Sequence, residues 1–286
     1  MFQLVDLSSW KYKELELAGI EVKRTFGLEV PNFKQTDAWW LPQENAIALN
    51  LSLDALKRKP INFTAPGPHL LPSTPLKYTR RHVRTLTVSD SLESPTAGWW
   101  KIAEAKVDDF DSRWRTVDEL VKDIEKSQLP LSSLLQVSSQ RLQVSREYRS
   151  FVLDRSVTTT SIYLETFVDG TTLSIYDGLQ TDAEELETVR RFTQELVDRM
   201  SLPRGLTVDV AVLQDGSMAV LEYNPAWCSG WYDCDLKQVE ATIKASLNDF
   251  SAQWVYIPDP YMLKRISKRA PLPATTSTFD ITSPVC

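Results

Sequence analysis

The hydrophobic pattern of the chain changes near residue 76. Before this point, short apolar runs are interrupted by prolines, and we find no internal repeat and no motif that carries chemistry. After it, several runs alternate with the two-residue period of β-strands. These runs cover residues 83–88, 98–103, 134–137, 147–153, 156–167, 206–213 and 218–224.

Three segments show apolar residues at helical spacing. Thr116 and Glu119 form a capping-box pattern before one segment, and Thr181 and Glu184 repeat that pattern before the next. Asp235 precedes the third. Together with the strands, these helices predict an α+β fold with a mainly antiparallel sheet.

One pair of strands predicts a hairpin that carries acidic residues. Asp215 and Gly216 separate residues 206–213 from 218–224 and are typical of a two-residue turn. That turn places Asp209 opposite Glu222, on the face that also carries Asn224. Facing carboxylates repel, and a divalent cation would remove the repulsion. The set suits Mg²⁺, although carboxylates at a strand end that simply reach solvent are an equal alternative.

Basic residues appear in two other predicted strands. Lys101 lies in an apolar strand, where an ammonium needs a phosphate or a carboxylate partner. Lys106 follows five residues later. Glu147 and Arg149 share one face of another strand, where a surface salt bridge is the ordinary interpretation.

Composition narrows the class of protein. Lys and Arg total 32 against 38 Asp and Glu, a net charge of −6, which argues against a dedicated nucleic-acid binder. The 3 cysteines and 2 histidines form neither a disulfide framework nor a zinc pattern. No secretory signal or membrane-length apolar run is evident. We therefore expect a cytoplasmic protein.

In chain order, these pieces resemble the ATP-grasp superfamily, and within it the clade characterised by one arginine and two lysines. The lysine segment of that clade corresponds to Lys-Ile-Ala-Glu-Ala-Lys at 101–106, with isoleucine in place of proline. Its Glu-x-Arg-x-Phe motif appears at 147–151. Its terminal signature appears as Glu-Tyr-Asn-Pro-Ala-Trp-Cys-Ser-Gly-Trp-Tyr at 222–232.

The resemblance implies an ATP-grasp fold in which two α+β lobes grip ATP. The implied division is an N-terminal α/β region at 1–75, an ATP-grasp domain at 76–265 and a flexible tail at 266–286. The implied ATP-binding residues are Lys101, Lys106, Gln136, Val137, Ser138 and Glu147. The implied Mg²⁺ ligands are Asp209, Glu222 and Asn224.

The same resemblance implies an ATP- and Mg²⁺-dependent ligase that joins a carboxylate to an amine or thiol through an acyl phosphate. Arg149 and Lys106 are then the predicted catalytic residues. The guanidinium of Arg149 matches carboxylate and phosphate oxygens. Arg81, Trp227, Ser229 and Tyr232 are the predicted substrate-binding residues. The implied partners are small-molecule or peptide carboxylates and amines, with no nucleic acid and no membrane.

Two other functions stay open at this point. A non-catalytic nucleotide-binding protein could retain the same fold, although it would be expected to lose the metal ligands first. An aromatic-rich recognition module is suggested by 9 tryptophans, but it leaves the facing carboxylates unexplained.

Overall fold

A computed structural model describes residues 2–5, 9–24, 37–105, 107–247 and 251–267. Lys106 and the segment 268–286, which includes most of the expected tail, lie outside the described residues. Three sheets contain the described strands: β1 (Phe2–Leu4), β2 (Val22–Arg24), β3 (Ala38–Trp40), β4 (Arg84–Thr87), β5 (Gly98–Ile102), β6 (Arg113–Arg115), β7 (Leu134–Ser138), β8 (Val144–Leu153), β9 (Ser156–Thr166), β10 (Thr172–Ser174), β11 (Gly205–Leu213) and β12 (Met218–Pro225).

Helices of very different length connect and cover these sheets. The described α-helices are α1 (Ser9–Leu17), α2 (Gln43–Ala55), α3 (Leu70–Ser73), α4 (Leu76–Thr79), α5 (Val88–Glu93), α6 (Val117–Ser127), α7 (Ala183–Arg199), α8 (Leu236–Ser246) and α9 (Pro260–Ser267). Among the described residues, none of these helices combines the length and the apolar character that crossing a bilayer requires.

The N-terminal sheet is parallel, in the order β2-β1-β3. Helix α1 connects β1 to β2, as a parallel connection requires. All three strands of this sheet lie within residues 1–75, the N-terminal region that the resemblance implies.

The other two sheets are antiparallel. One has four strands in the order β4-β7-β5-β6, and the other has five in the order β10-β9-β8-β11-β12. The mixture of helices and antiparallel sheets confirms the α+β fold class.

Strand β11 occupies an inner position of the five-stranded sheet and is buried along its whole length. Val208 and Val210 face a core shared with α7, whereas Phe151 on β8 belongs to the core that includes Val239 of α8. Gly205 permits the close approach of α8, because a Cβ there would lie 2.3 Å from the carbonyl oxygen of Thr242. With helices on both faces, the strand can carry apolar residues on each of its faces.

The hairpin between β11 and β12 differs from its prediction in two ways. Its loop has three residues, because Leu213 pairs with Ser217 through a 2.8 Å backbone hydrogen bond and Gly216 adopts a positive φ of 78°. Val212 therefore faces Met218, instead of the predicted Ala219. The predicted two-residue turn is wrong.

A β-bulge then restores the predicted register further along the hairpin. Val210 pairs with Val220 and Asp209 pairs with Glu222, so Leu221 is the extra residue on β12. The expected opposition of Asp209 and Glu222 is confirmed. It arises from a three-residue loop and a bulge whose register shifts cancel.

Helix caps give one confirmation and one correction. Thr116 and Glu119 form the predicted capping box of α6. Helix α7 is capped by Asp182, whose side chain accepts a hydrogen bond from the Glu185 backbone N–H, so the predicted cap at Thr181 is wrong by one residue.

Candidate functional site

A cavity of about 230 Å³ lies between the four-stranded and five-stranded sheets. Its wall combines charged side chains from both sheets with residues of the N-terminal and C-terminal segments. Of the predicted site residues, it contains Lys101, Gln136, Arg149, Glu222, Asn224 and Ser229.

An ion pair joins the two sheets across this cavity. Lys101 lies on β5, and its Nζ donates to Glu222 Oε2 of β12 at 2.6 Å. Both side chains keep some solvent access, with exposures of 18% and 17%. The lysine therefore has a carboxylate partner in this state, and that partner lies beside a cavity that a ligand can enter.

The second ion pair lies within the five-stranded sheet. Arg149 of β8 and Asp209 of β11 occupy directly paired positions. The guanidinium donates two parallel hydrogen bonds to the carboxylate, at 2.8 and 2.7 Å, and a third to the Gly230 carbonyl at 3.2 Å. Both oxygens of the fully buried Asp209 therefore accept hydrogen bonds from Arg149.

Asn224 connects the two ion pairs. Its Nδ2 donates to Asp209 Oδ2 and to Glu222 Oε1, at 3.1 Å each. The three predicted metal ligands are thus brought together, but only Glu222 and Asn224 contribute to the cavity wall.

Two stacked tyrosines adjoin the Arg149 guanidinium. Tyr163 of β9 and Tyr232 lie 4.8 Å apart, nearly parallel, and the guanidinium carbon is 5.6 and 5.2 Å from their ring centres. Tyr163 also donates a hydrogen bond to Glu147. Neither Glu147 nor Tyr232 contributes to the cavity wall.

The electrostatic surroundings keep Arg149 charged. Burial alone lowers its pKa, but the charge and hydrogen bonds of Asp209 outweigh burial and raise the pKa well above its ordinary value. The pKa of Tyr163 is also raised well above its ordinary value, because the tyrosine is buried beside Asp209 and Glu147. Arg149 is therefore a permanent cation held in a fixed orientation.

Arg81 contacts the backbone of the bulged strand. It donates to the Val220 and Leu221 carbonyls at 2.9 Å each and to the Thr79 carbonyl at 3.1 Å. Burial lowers its pKa to about 10, while the charge of Glu222 opposes that shift. These contacts hold the bulge that precedes Glu222. They favour a structural role for Arg81 over the predicted substrate-binding role.

The remaining predicted residues lie at different depths. Trp227 is fully buried, donates to the Thr64 carbonyl at 2.7 Å and packs against Phe63, so it is a core residue in this structure. Ser229 lines the cavity and donates to the Pro225 carbonyl. Val137 and Ser138 are buried in β7 beside Gln136.

The sequence predicted no role for several polar residues of the cavity wall, among them Gln43, Glu104 and Tyr256. Glu104 lies inside the motif at 101–106, and its position between the two lysines was the one sequence feature that could have indicated a place in the site. Gln43 and Tyr256 belong to segments without a recognisable motif.

Comparison with known families gives a match over more than half of the chain. The matching family model describes an ATP-grasp domain, family 2 of the clade named for one arginine and two lysines, and it covers residues 78–242. The matched range contains Lys101, Arg149, Asp209, Glu222 and Asn224. No curated protein sequence matches the chain.

Several solved structures resemble the chain at low sequence identity. A D-alanine–D-alanine ligase from Bacillus anthracis is 12% identical, with a TM-score of 0.46 over 94% of this chain and 99% of that one. The corresponding ligase from Coxiella burnetii is 13% identical, with a TM-score of 0.44 over 71% of this chain. The ATP-grasp ligase PsnB, complexed with minimal precursor, Mg and ADP, is 18% identical, with a TM-score of 0.31 over 58%. The chain spans 65% of the Coxiella burnetii protein and 54% of PsnB.

Proposed function

The chain belongs to the ATP-grasp superfamily, in family 2 of the clade named for one arginine and two lysines. On this premise we propose that it is an ATP- and Mg²⁺-dependent ligase. The proposed reaction phosphorylates a substrate carboxylate with ATP and passes the acyl group from the acyl phosphate to an amine, or to a thiol. ADP and phosphate are the expected products.

The observation that carries this proposal is the Lys101–Glu222 pair across the cavity. A triphosphate with a divalent cation presents both negative and positive charge to such a pair. Lys101 can exchange its carboxylate partner for phosphate oxygens while Glu222 exchanges its ammonium partner for the cation. Each member of the pair thus exchanges one oppositely charged partner for another, which limits the cost of separating the pair.

The donor set fits Mg²⁺. Glu222 and Asn224, a carboxylate and an amide, both line the cavity, and Mg²⁺ prefers oxygen ligands and often uses one or two carboxylates together with phosphates. Bound there, the ion would supply positive charge to the phosphate oxygens. We assign Asp209 to positioning Arg149, because both of its oxygens already accept hydrogen bonds from the guanidinium.

Arg149 is proposed to bind the substrate carboxylate and the acyl phosphate derived from it. The residue reaches the cavity wall while Asp209 and the Gly230 carbonyl fix its orientation. A cation that is already oriented needs no reorganisation when negative charge develops beside it. Phosphoryl transfer depends mainly on such positioning and charge stabilisation.

The adenine is proposed to lie against β7. Gln136 lines the cavity and donates to the Pro68 carbonyl at 2.8 Å, which holds its side chain against the loop that closes this side. Val137 and Ser138 continue the strand. Lys106, which the sequence places near the phosphates, and Glu147 keep their predicted roles as part of this proposal.

The proposal is tested by Glu222→Gln, which retains the size of the side chain and removes the charge that binds the cation. We expect Mg·ATP affinity to fall at least about tenfold in calorimetry and ADP release with candidate carboxylates and amines to fall with it. The matched control is Glu93→Gln, an exposed glutamate on α5, which should retain the parent affinity.

Two results would contradict parts of this account. Unchanged Mg·ATP affinity in Glu222→Gln would remove the metal assignment. Tight Mg·ATP binding by the parent protein, without ADP release for any carboxylate and amine pair, would favour a non-catalytic nucleotide-binding protein.

A further inference from the structure

The cavity has a second polar region that the proposed nucleotide site does not use. Glu104 follows β5, Gln43 begins α2, and Tyr256 lies between the short helix at 252–254 and α9. The Gln43 amide donates a hydrogen bond to the Glu104 carbonyl. Three separate segments therefore contribute polar side chains to one part of the wall.

The Tyr256 hydroxyl makes no hydrogen bond of normal geometry, although the Gln43 side chain lies close enough to oppose the rise that burial causes in the tyrosine pKa. Among the described residues, it is the one fully buried side-chain polar atom in this condition. The ring is fixed by edge contact with Trp227, with centres 5.4 Å apart, and the backbone N–H donates to the Phe63 carbonyl at 2.8 Å. A buried hydroxyl without a partner is costly, so a ligand that hydrogen-bonds to it gains more than it would at the surface.

Glu104 is an acidic group for which the described residues provide no cation. Burial, together with the charge of Asp259, raises its pKa to about 7. The two described basic residues of the wall have other carboxylate partners, since Lys101 pairs with Glu222 and Arg149 with Asp209. A ligand that brings a positive charge would offset the free-energy cost of burying an ionised Glu104 carboxylate.

We propose that Glu104, Tyr256 and Gln43 form a subsite for the ammonium group of the acceptor substrate. Small apolar residues, Ala65, Pro66 and Ala103, line the same cavity, so the expected carrier of that group is a short aliphatic chain. This inference rests on the proposed ligase function, because the bound ammonium, after it passes a proton to the Glu104 carboxylate, becomes the amine that attacks the acyl phosphate.

A titration with two simple probes tests the subsite. n-Propylammonium chloride and the uncharged n-propanol are titrated into the full chain and followed by ligand-observed NMR. We expect the ammonium to bind more tightly than the alcohol. Its affinity should fall at least about tenfold in Glu104→Gln and several-fold in Tyr256→Phe, with Glu93→Gln as the matched charge control.

Two further measurements separate binding from folding and from the nucleotide site. Tyr256→Phe removes only the unpartnered hydroxyl, so its melting temperature should equal or exceed that of the parent. Calorimetry with Mg·ATP on the same variants reports on the proposed nucleotide site independently.

The subsite is overturned if the parent protein does not prefer propylammonium, or if Glu104→Gln binds it as tightly as the parent does. It is also overturned if Mg·ATP affinity falls as much as ammonium affinity in Glu104→Gln, because the residue then acts in the nucleotide site. If the parent prefers propylammonium through Glu104 but does not bind Mg·ATP, the ligase proposal fails while the cation site stands.

Discussion

The two ion pairs of the site differ in where their partners lie and in how deeply they are buried. Arg149 and Asp209 come from adjacent strands of one sheet, with side-chain exposures of 5% and 0%. Lys101 and Glu222 come from different sheets and line the cavity. One pair is part of the interior of a sheet, and the other forms a contact across a cleft.

This difference separates a structural role from a binding role. A buried pair fixes the geometry of its members, because removing either one leaves an uncompensated charge away from water. A partly exposed pair gains less from its contact and can exchange partners at lower cost. We therefore interpret Arg149–Asp209 as the frame that orients the guanidinium, and Lys101–Glu222 as the pair that ligand binding opens.

The largest expected effect distinguishes these two roles directly. Asp209→Asn leaves the Arg149 charge buried without a carboxylate, and we expect it to lower the free energy of unfolding by about 3–5 kcal/mol. Glu222→Gln should lower it by no more than about 1 kcal/mol. Urea unfolding of both variants provides the measurement, and equal losses would contradict the distinction.

An intermediate effect concerns the bulge that presents Glu222. Arg81→Lys retains the charge but cannot hold the Val220 and Leu221 carbonyls with one planar group. We expect a loss of about 1–2 kcal/mol in the free energy of unfolding and a several-fold weaker affinity for Mg·ATP. Unfolding and calorimetry on the same variant test this. A loss of stability without a change in affinity would show that the bulge does not position Glu222.

The smallest expected effect concerns a helix cap, an ordinary structural contact with which the losses of unfolding free energy above can be compared. Asp182→Ala removes the side-chain cap of α7 and should cost about 1 kcal/mol. Thr181→Ala, one residue earlier, should cost much less because Thr181 does not cap the helix. Thermal unfolding of the two variants compares their stabilities. A larger loss of stability in Thr181→Ala would support Thr181 as the cap, as the sequence predicts.

Local pattern was sufficient for much of the fold. The cap of α6 at Thr116 and the strand that carries Lys101 follow from the spacing of nearby residues. The helix cap at Asp182 was missed because two adjacent residues both have capping side chains. Family membership was also accessible, since the motifs at 101–106, 147–151 and 222–232 lie inside the matched range.

The arrangement of the site depended on contacts between distant segments. The bulge at Leu221 is held by Arg81, 140 positions earlier, and no local pattern announces that contact. The pairing of Arg149 with Asp209 follows from the register of β8 and β11, which no local pattern reveals. Trp227 enters the core because a distant carbonyl, that of Thr64, accepts its N–H.

The central claim is that ligand binding exchanges the partners of Lys101 and Glu222 and leaves Arg149 and Asp209 paired. A crystal structure with a non-hydrolysable ATP analogue and Mg²⁺ tests it most directly. The account predicts the Lys101 ammonium on phosphate oxygens, Glu222 and Asn224 on the metal, and both Arg149–Asp209 hydrogen bonds intact. A bound nucleotide with Lys101 still in contact with Glu222, or with Asp209 on the metal and Arg149 displaced, would contradict it.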